Sequence, residues 1–259
     1  MKVKANGIDI NYQIDGSDGA PWIVFSNSLA TTTAMWDDQA AGLKDKFRVL
    51  RYDQRGHGAT SAPVGRYLFD TLLADALALM DALSIGKAHF AGLSMGGATA
   101  LGLAERHPDR FDRVIVCDSP CQSTPQSSAQ WEDRIKVAQE KGMEALVEPT
   151  VTRWFPPDTV AKNPPHLDKI RAMFRATPVN GFIGCAAALA DHDYATAIAS
   201  VKRPVLFLCG EKDAPAPAMK KLNEKLAGSS YVELPGAGHI SNMDAPAAFT
   251  KTMRDFITP

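Results

Sequence analysis

No apolar run in this chain is long enough to span a bilayer, and its opening stretch, MKVKANGIDI, has no apolar signal-peptide core. Cysteine is scarce. The four that occur, Cys117, Cys121, Cys185 and Cys209, form no CxxC pair and no metal-like grouping with histidine. Cys117 and Cys209 lie in apolar, strand-like runs and read as small buried hydrophobes. An excess of either charge is also missing, with 28 basic against 29 acidic residues. There is nothing to draw nucleic acid or an anionic membrane surface. No internal repeat, linker or low-complexity segment interrupts the text. The expectation is a cytoplasmic, reduced, soluble protein that works on a small molecule without nucleic-acid or membrane partners, and that is a monomer or a homodimer.

What is present is a chain of 259 residues, 45% of them hydrophobic, enough for one large α/β domain with a substantial core. A hairpin opens it, with strands at Lys2–Ala5 and Ile8–Ile14 around Asn6-Gly7. Short apolar runs at Pro21–Ser26, Arg48–Tyr52, Ala88–Ala91 and Arg113–Cys117 read as buried strands. Helical periodicity lies between them, from about Ala34 to Leu43, Asp70 to Leu83 and Ala98 to Arg106. Such alternation predicts a mostly parallel central sheet flanked by helices. It breaks after Asp118 and resumes at Pro204–Cys209. A helix at about Ala218–Ala227, a strand at Tyr231–Leu234 and a helix from Pro246 to Ile257 follow. The expected organisation is a core of residues 1–119 and 200–259, with a helical lid at 120–199. An insertion at a strand's end lies over the side of the sheet where ligands bind.

One short stretch carries chemistry. Gly92-Leu93-Ser94-Met95-Gly96 is a G-x-S-x-G pentapeptide between an apolar strand and a run of small helical residues. A strand that turns at once into a helix crowds its corner, and glycines two positions either side let the backbones pass. The corner side chain then stands out at the top of the sheet. A serine alcohol needs a base within hydrogen-bond reach, and the base needs an orienting acid.

The element order, G-L-S-M-G-G (92–97), D-Q-R-G-H-G (53–58), the turn at Asp213 and G-A-G-H (236–239) resemble the α/β-hydrolase superfamily over essentially the whole length. That resemblance implies the chain order serine, acid, histidine. Ser94 is then the nucleophile and His239, in the loop after a strand, the base. His192, between two carboxylates in "ADHDYA", reads as a solvated helix residue. Asp213 is favoured as the acid, because Gly-x-x-Asp is the spacing that ends this strand in such enzymes. Glu211 is the local competitor and Asp118 the distant one. One oxyanion donor is the Met95 backbone N–H. The other is assigned to Leu29, with Ser28 the one-residue alternative. Asp53, Arg55 and His57 read as a structural loop beneath the site.

A narrower resemblance lies in "FSNSLATTTAMWDDQ" (25–39), "VLRYDQRGHGAT" (49–60), "WEDRIKVAQEKGMEAL" (131–146), "RWF" (153–155) and "CAAALADHD" (185–193). Together these are similar to 3-oxoadipate enol-lactonases. The resemblance implies a serine hydrolase of aromatic-compound breakdown, in the β-ketoadipate pathway, that opens 3-oxoadipate enol-lactone to 3-oxoadipate with no metal or organic cofactor. Trp131 and Arg134, one helical turn apart, are implied as contacts to the substrate carboxylate. A general carboxylesterase, lactonase or perhydrolase, or a carbon–carbon bond hydrolase, would carry the same triad and differ in the lid. A hydrolase-fold signalling protein would keep the fold without turnover.

Overall fold

Eight strands form one sheet in the order β1-β2-β4-β3-β5-β6-β7-β8. The computed structural model describes residues 1–195 and 198–258. In chain order the elements are β1 (Lys2–Ala5), β2 (Ile8–Asp15), β3 (Trp22–Ser26), α1 (Asp37–Leu43), β4 (Arg48–Tyr52), α2 (Phe69–Ala82), β5 (Ala88–Leu93), α3 (Met95–Arg106) and β6 (Phe111–Cys117). There follow α4 (Pro125–Lys141), α5 (Glu144–Trp154), α6 (Pro157–Lys162), α7 (Pro165–Ala176) and α8 (Val179–Ala190). The chain closes with β7 (Val205–Gly210), α9 (Ala216–Lys225), β8 (Ser230–Leu234), α10 (Ser241–Asp244) and α11 (Pro246–Ile257). β1 and β2 run antiparallel to their neighbours, and every other pairing is parallel.

The central strands are continuous apolar runs because helices cover both faces of the sheet. Ile23, Val24 and Phe25 of β3, Phe90 and Ala91 of β5, and Phe207 and Leu208 of β7 are all fully buried. The first parallel strand in the chain is β3, and the carboxyl ends of β3, β5 and β7 share one edge of the sheet. The loops that leave this edge hold Leu29, Ser94 and Asp213, and β8 feeds the loop of His239.

Between β6 and β7 the chain builds five α-helices, a 3-10 turn at Ile198–Ser200 and no strand among the described residues. The first is started by a reciprocal cap. The Thr124 hydroxyl accepts the Ser127 N–H at 3.2 Å, and the Thr124 N–H donates to the Ser127 hydroxyl at 2.7 Å. Pro125 at the first helical position costs no intrahelical bond. No helix among the described residues is long and apolar enough to cross a membrane.

Several boundaries shift by one to three residues from the sequence reading, and the shift at α3 bears on the site. α3 begins at Met95, three residues before the expected Ala98. Gly96 and Gly97 are poor helix formers, which hides the start. Contact with the sheet explains them: a Cβ at Gly96 would lie 2.2 Å from the Ser26 carbonyl oxygen.

Candidate active site

Ser94 stands between β5 and α3 with φ +56° and ψ −113°, a conformation side chains rarely adopt. The turn closes so tightly that a Cβ at Gly92 would fall 1.8 Å from the Gly96 carbonyl oxygen. Its hydroxyl lies 2.9 Å from His239 Nε2. His239 Nδ1 lies 3.0 Å from each carboxylate oxygen of Asp213, so Nδ1 carries the proton and Nε2 is free to accept from serine. The structure thus brings Ser94, His239 and Asp213 into one hydrogen-bonded line.

Neither competing acid reaches the imidazole. Glu211 is exposed and accepts the Gly236 N–H at 2.8 Å and the Lys212 ammonium at 2.9 Å. Asp118 is fully buried, accepts the Gly210 N–H at 2.8 Å, and accepts a hydrogen bond from the Ser241 hydroxyl. Burial and the neighbouring Asp213 carboxylate push the Asp118 carboxyl well above its ordinary value. Asp118, Cys209 and Asp213 place their ligand-type atoms within 4.8 Å of one another. The two carboxylates already accept hydrogen bonds, Asp118 from Gly210 and Ser241 and Asp213 from His239.

The loop after β3 sorts its amides one by one. The Ser28 N–H points to Met35 Sδ at 3.3 Å. The Ala30 N–H donates to His57 Nε2 at 2.8 Å, and the Thr31 N–H to the Ser28 carbonyl at 3.3 Å. Only the Leu29 N–H in this run has no partner among the described residues. The Met95 N–H, first in α3, has no intrahelical acceptor either. Ala30 takes φ +57° to make this bend. His57 sits fully buried beneath it, with Nδ1 3.0 Å from the Arg55 carbonyl, and burial lowers its pKa. A neutral imidazole that accepts at Nε2 fits both contacts, so His57 holds the loop and does not approach Ser94.

A cavity of about 270 Å³ opens above the serine, walled by Leu29, Trp131, Arg134, Arg153, Trp154 and His239. Arg134 lies over the Trp131 ring, 4.5 Å from its centroid, and among the described residues has no carboxylate partner. The sequence allows these two residues one helix face, and in the structure both line the cavity that Ser94 lines.

Two findings differ from the sequence reading or exceed it. His192 is not a solvated helix residue. It lies past the end of α8, buried to 6% exposure, with Nδ1 3.0 Å from the Leu189 carbonyl and its ring against Phe69. The flanking Asp191 and Asp193 suggested solvent, but those side chains turn outward while the imidazole turns in. Arg153, at the end of α5, was not assigned to the site, although the sequence shows it beside two aromatics in "RWF". It keeps an exposed surface yet lines the same cavity. Desolvation, and then the charge of Arg134, bring its pKa down to about 10, against the pull of Asp213.

A helix that follows a strand through such a serine corner, with histidine and acid delivered by later strands, defines a class of enzyme. The chain belongs to the α/β-hydrolase fold family, whose model matches residues 21–181. It is a hydrolase. Within that family it is similar to 3-oxoadipate enol-lactonase 2 of Acinetobacter baylyi, 36% identical over 95% of this chain and 91% of the relative. It is similar also to the crystal structure of the enol-lactonase from Burkholderia xenovorans, 41% identical with a TM-score of 0.96 over 100% of both chains. A thermophilic esterase from Thermogutta terrifontis shares the fold at 26% identity and a TM-score of 0.93, over 99% of this chain and 98% of that one.

Proposed function

We propose that the chain is a 3-oxoadipate enol-lactonase in which Ser94, His239 and Asp213 are the catalytic triad. The observation that carries this reading is the opening of the Ser94–His239–Asp213 line into a cavity where Arg134 has no carboxylate of its own. A free guanidinium beside an acyl-transfer centre suits a substrate that brings a carboxylate.

Ser94 Oγ attacks the lactone carbonyl carbon, and its proton passes to His239 Nε2. Asp213 holds the imidazole in the required tautomer and balances the charge it gains. The carbonyl oxygen becomes an oxyanion between the Leu29 and Met95 N–H groups. Both amides are unspent in the resting protein, so they need not give up a partner first. The ring C–O bond breaks, and the leaving enolate oxygen takes the proton from His239. That enol remains part of the acyl chain, tethered to the serine. Water then attacks the acyl carbon and gives its proton to His239. Collapse expels Ser94, reprotonated by His239, and leaves a second carboxylate. The released enol tautomerises to the ketone, which draws the reaction forward.

The helical insertion, residues 120–199, serves as the lid and supplies specificity. Trp131 and Arg134 on α4 receive the carboxylate that the substrate already carries. The test is turnover of 3-oxoadipate enol-lactone beside p-nitrophenyl acetate by the purified protein. A kcat/KM for the lactone far above that for the ester supports the reading. Ester hydrolysis without lactone turnover leaves only a serine esterase.

A further inference from the structure

Most arginines elsewhere in this protein are ion-paired, among them Arg51 with Asp15 and Asp37, Arg55 with Asp75, Arg171 with Glu148 and Arg175 with Glu144, while Arg113 donates to the Phe256 carbonyl. Arg134 and Arg153 break the pattern. Both line the cavity at Ser94, and among the described residues neither forms a hydrogen bond or an ion pair with protein. They share that cavity, and the Arg134 charge disfavours the charge on Arg153. Two like charges in one partly desolvated cavity are costly unless an anion joins them. One substrate carboxylate satisfies one guanidinium and leaves the second without a counter-charge.

Their places in the fold separate them. Arg134 is stacked on Trp131 in α4. Arg153 precedes Trp154, whose ring lies 5.6 Å from the His239 ring and whose carbonyl accepts the His239 N–H at 2.7 Å. Arg153 also feels the charge of Asp213. It adjoins Trp154, which touches the histidine of the proposed triad, and hydrolysis there turns an uncharged acyl group into a carboxylate.

We propose that Arg153 forms a second anion subsite, which receives the carboxylate created at the acyl carbon and makes the cavity complementary to a linear dicarboxylate dianion. This rests on the lactonase reading for the position of the new carboxylate. It implies that six-carbon dicarboxylates, the product's own class, occupy the site and compete with substrate.

The test compares adipate with hexanoate, which has the same carbon count and one charge fewer, by calorimetric titration of the whole protein. Wild type should bind adipate about tenfold or more tightly than hexanoate, as a second charge-assisted contact allows. Arg153→Gln should bring the two ligands to within about twofold, and Arg153→Lys should keep part of the preference. Arg134→Gln should also abolish it, since a dianion needs both cations. The thermal midpoint of each variant checks that it folds. Equal binding of the two acids by wild type overturns the proposal, as does a preference that persists in folded Arg153→Gln. The readout needs no turnover. An Arg153-dependent adipate preference in a protein that ignores the enol-lactone supports the subsite and contradicts the lactonase reading. Lactone turnover without the preference does the reverse.

Discussion

The Trp154 indole lies beside the His239 imidazole, ring centroids 5.6 Å apart and planes inclined at 35°. The same residue's carbonyl accepts the His239 N–H at 2.7 Å. The end of α5 therefore holds the base of the proposed triad by both ring and backbone.

Removing the ring should loosen the imidazole. Aromatic pairs of this kind contribute about 0.5–1.5 kcal/mol, a factor of roughly two to ten. Trp154→Leu should lower kcat by about that factor on lactone and neutral ester alike, and Trp154→Phe should recover most of it. A change confined to KM for the lactone would make Trp154 a substrate contact only.

Asp213→Asn should fold and bind substrate but lower kcat by roughly ten-thousandfold, the loss seen for the same change in a serine-protease triad. Steady-state kinetics on p-nitrophenyl acetate suffice. A comparable loss in Asp118→Asn, with Asp213→Asn close to wild type, would move the acid to Asp118.

Asp118 should instead appear in the pH dependence of stability. Its folded pKa is raised above the ordinary 3.8, so the folded state holds this proton more tightly than the unfolded chain. The contribution is complete below the ordinary value and is lost as pH rises toward the folded one. Asparagine keeps an acceptor for the Gly210 N–H and carries no charge. Urea unfolding should therefore show Asp118→Asn gaining on wild type as pH rises from about 4. A stability difference independent of pH would mean that Asp118 is not burdened by its charge.

Arg134 separates a carboxylated substrate from a neutral one. A charge-assisted hydrogen bond is worth about 1.5–3 kcal/mol, or roughly ten- to a hundredfold. Arg134→Ala should lose that much kcat/KM on the lactone, mainly through KM, and far less on p-nitrophenyl acetate. Arg134→Lys should recover only part, because an ammonium cannot form the planar two-pronged contact. Equal losses on both substrates would make Arg134 a support for the insertion.

Much of this was legible in the sequence because it is local. Strand–helix alternation fixes the class of sheet, and G-x-S-x-G fixes a corner that only a tight turn can satisfy. Spacing assigns the second amide to Leu29 with Ser28 one residue away, and it cannot say which amide is spent. The Met35 thioether and the buried His57 take the Ser28 and Ala30 amides, and both reach the loop through the fold. Arg153 escaped for a similar reason. An arginine on an exposed helix reads as solvated until α5 is seen to end against the G-A-G-H loop, 86 positions later by residue number, from Arg153 to His239. His192 reads as solvated from its carboxylate neighbours, while the chain beyond α8 turns the ring inward. The order of strands across the sheet, with β4 between β2 and β3, carries no short-range signal at all.

The most direct measurement is single-turnover hydrolysis of 3-oxoadipate enol-lactone by wild type and Ser94→Ala, with mass spectrometry of acid-quenched protein. Wild type should open the lactone and carry a transient acyl adduct on Ser94. Ser94→Ala should fold, bind the lactone and leave it unopened above the background rate. Ring opening by Ser94→Ala at the wild-type rate would contradict a serine-centred lactonase outright.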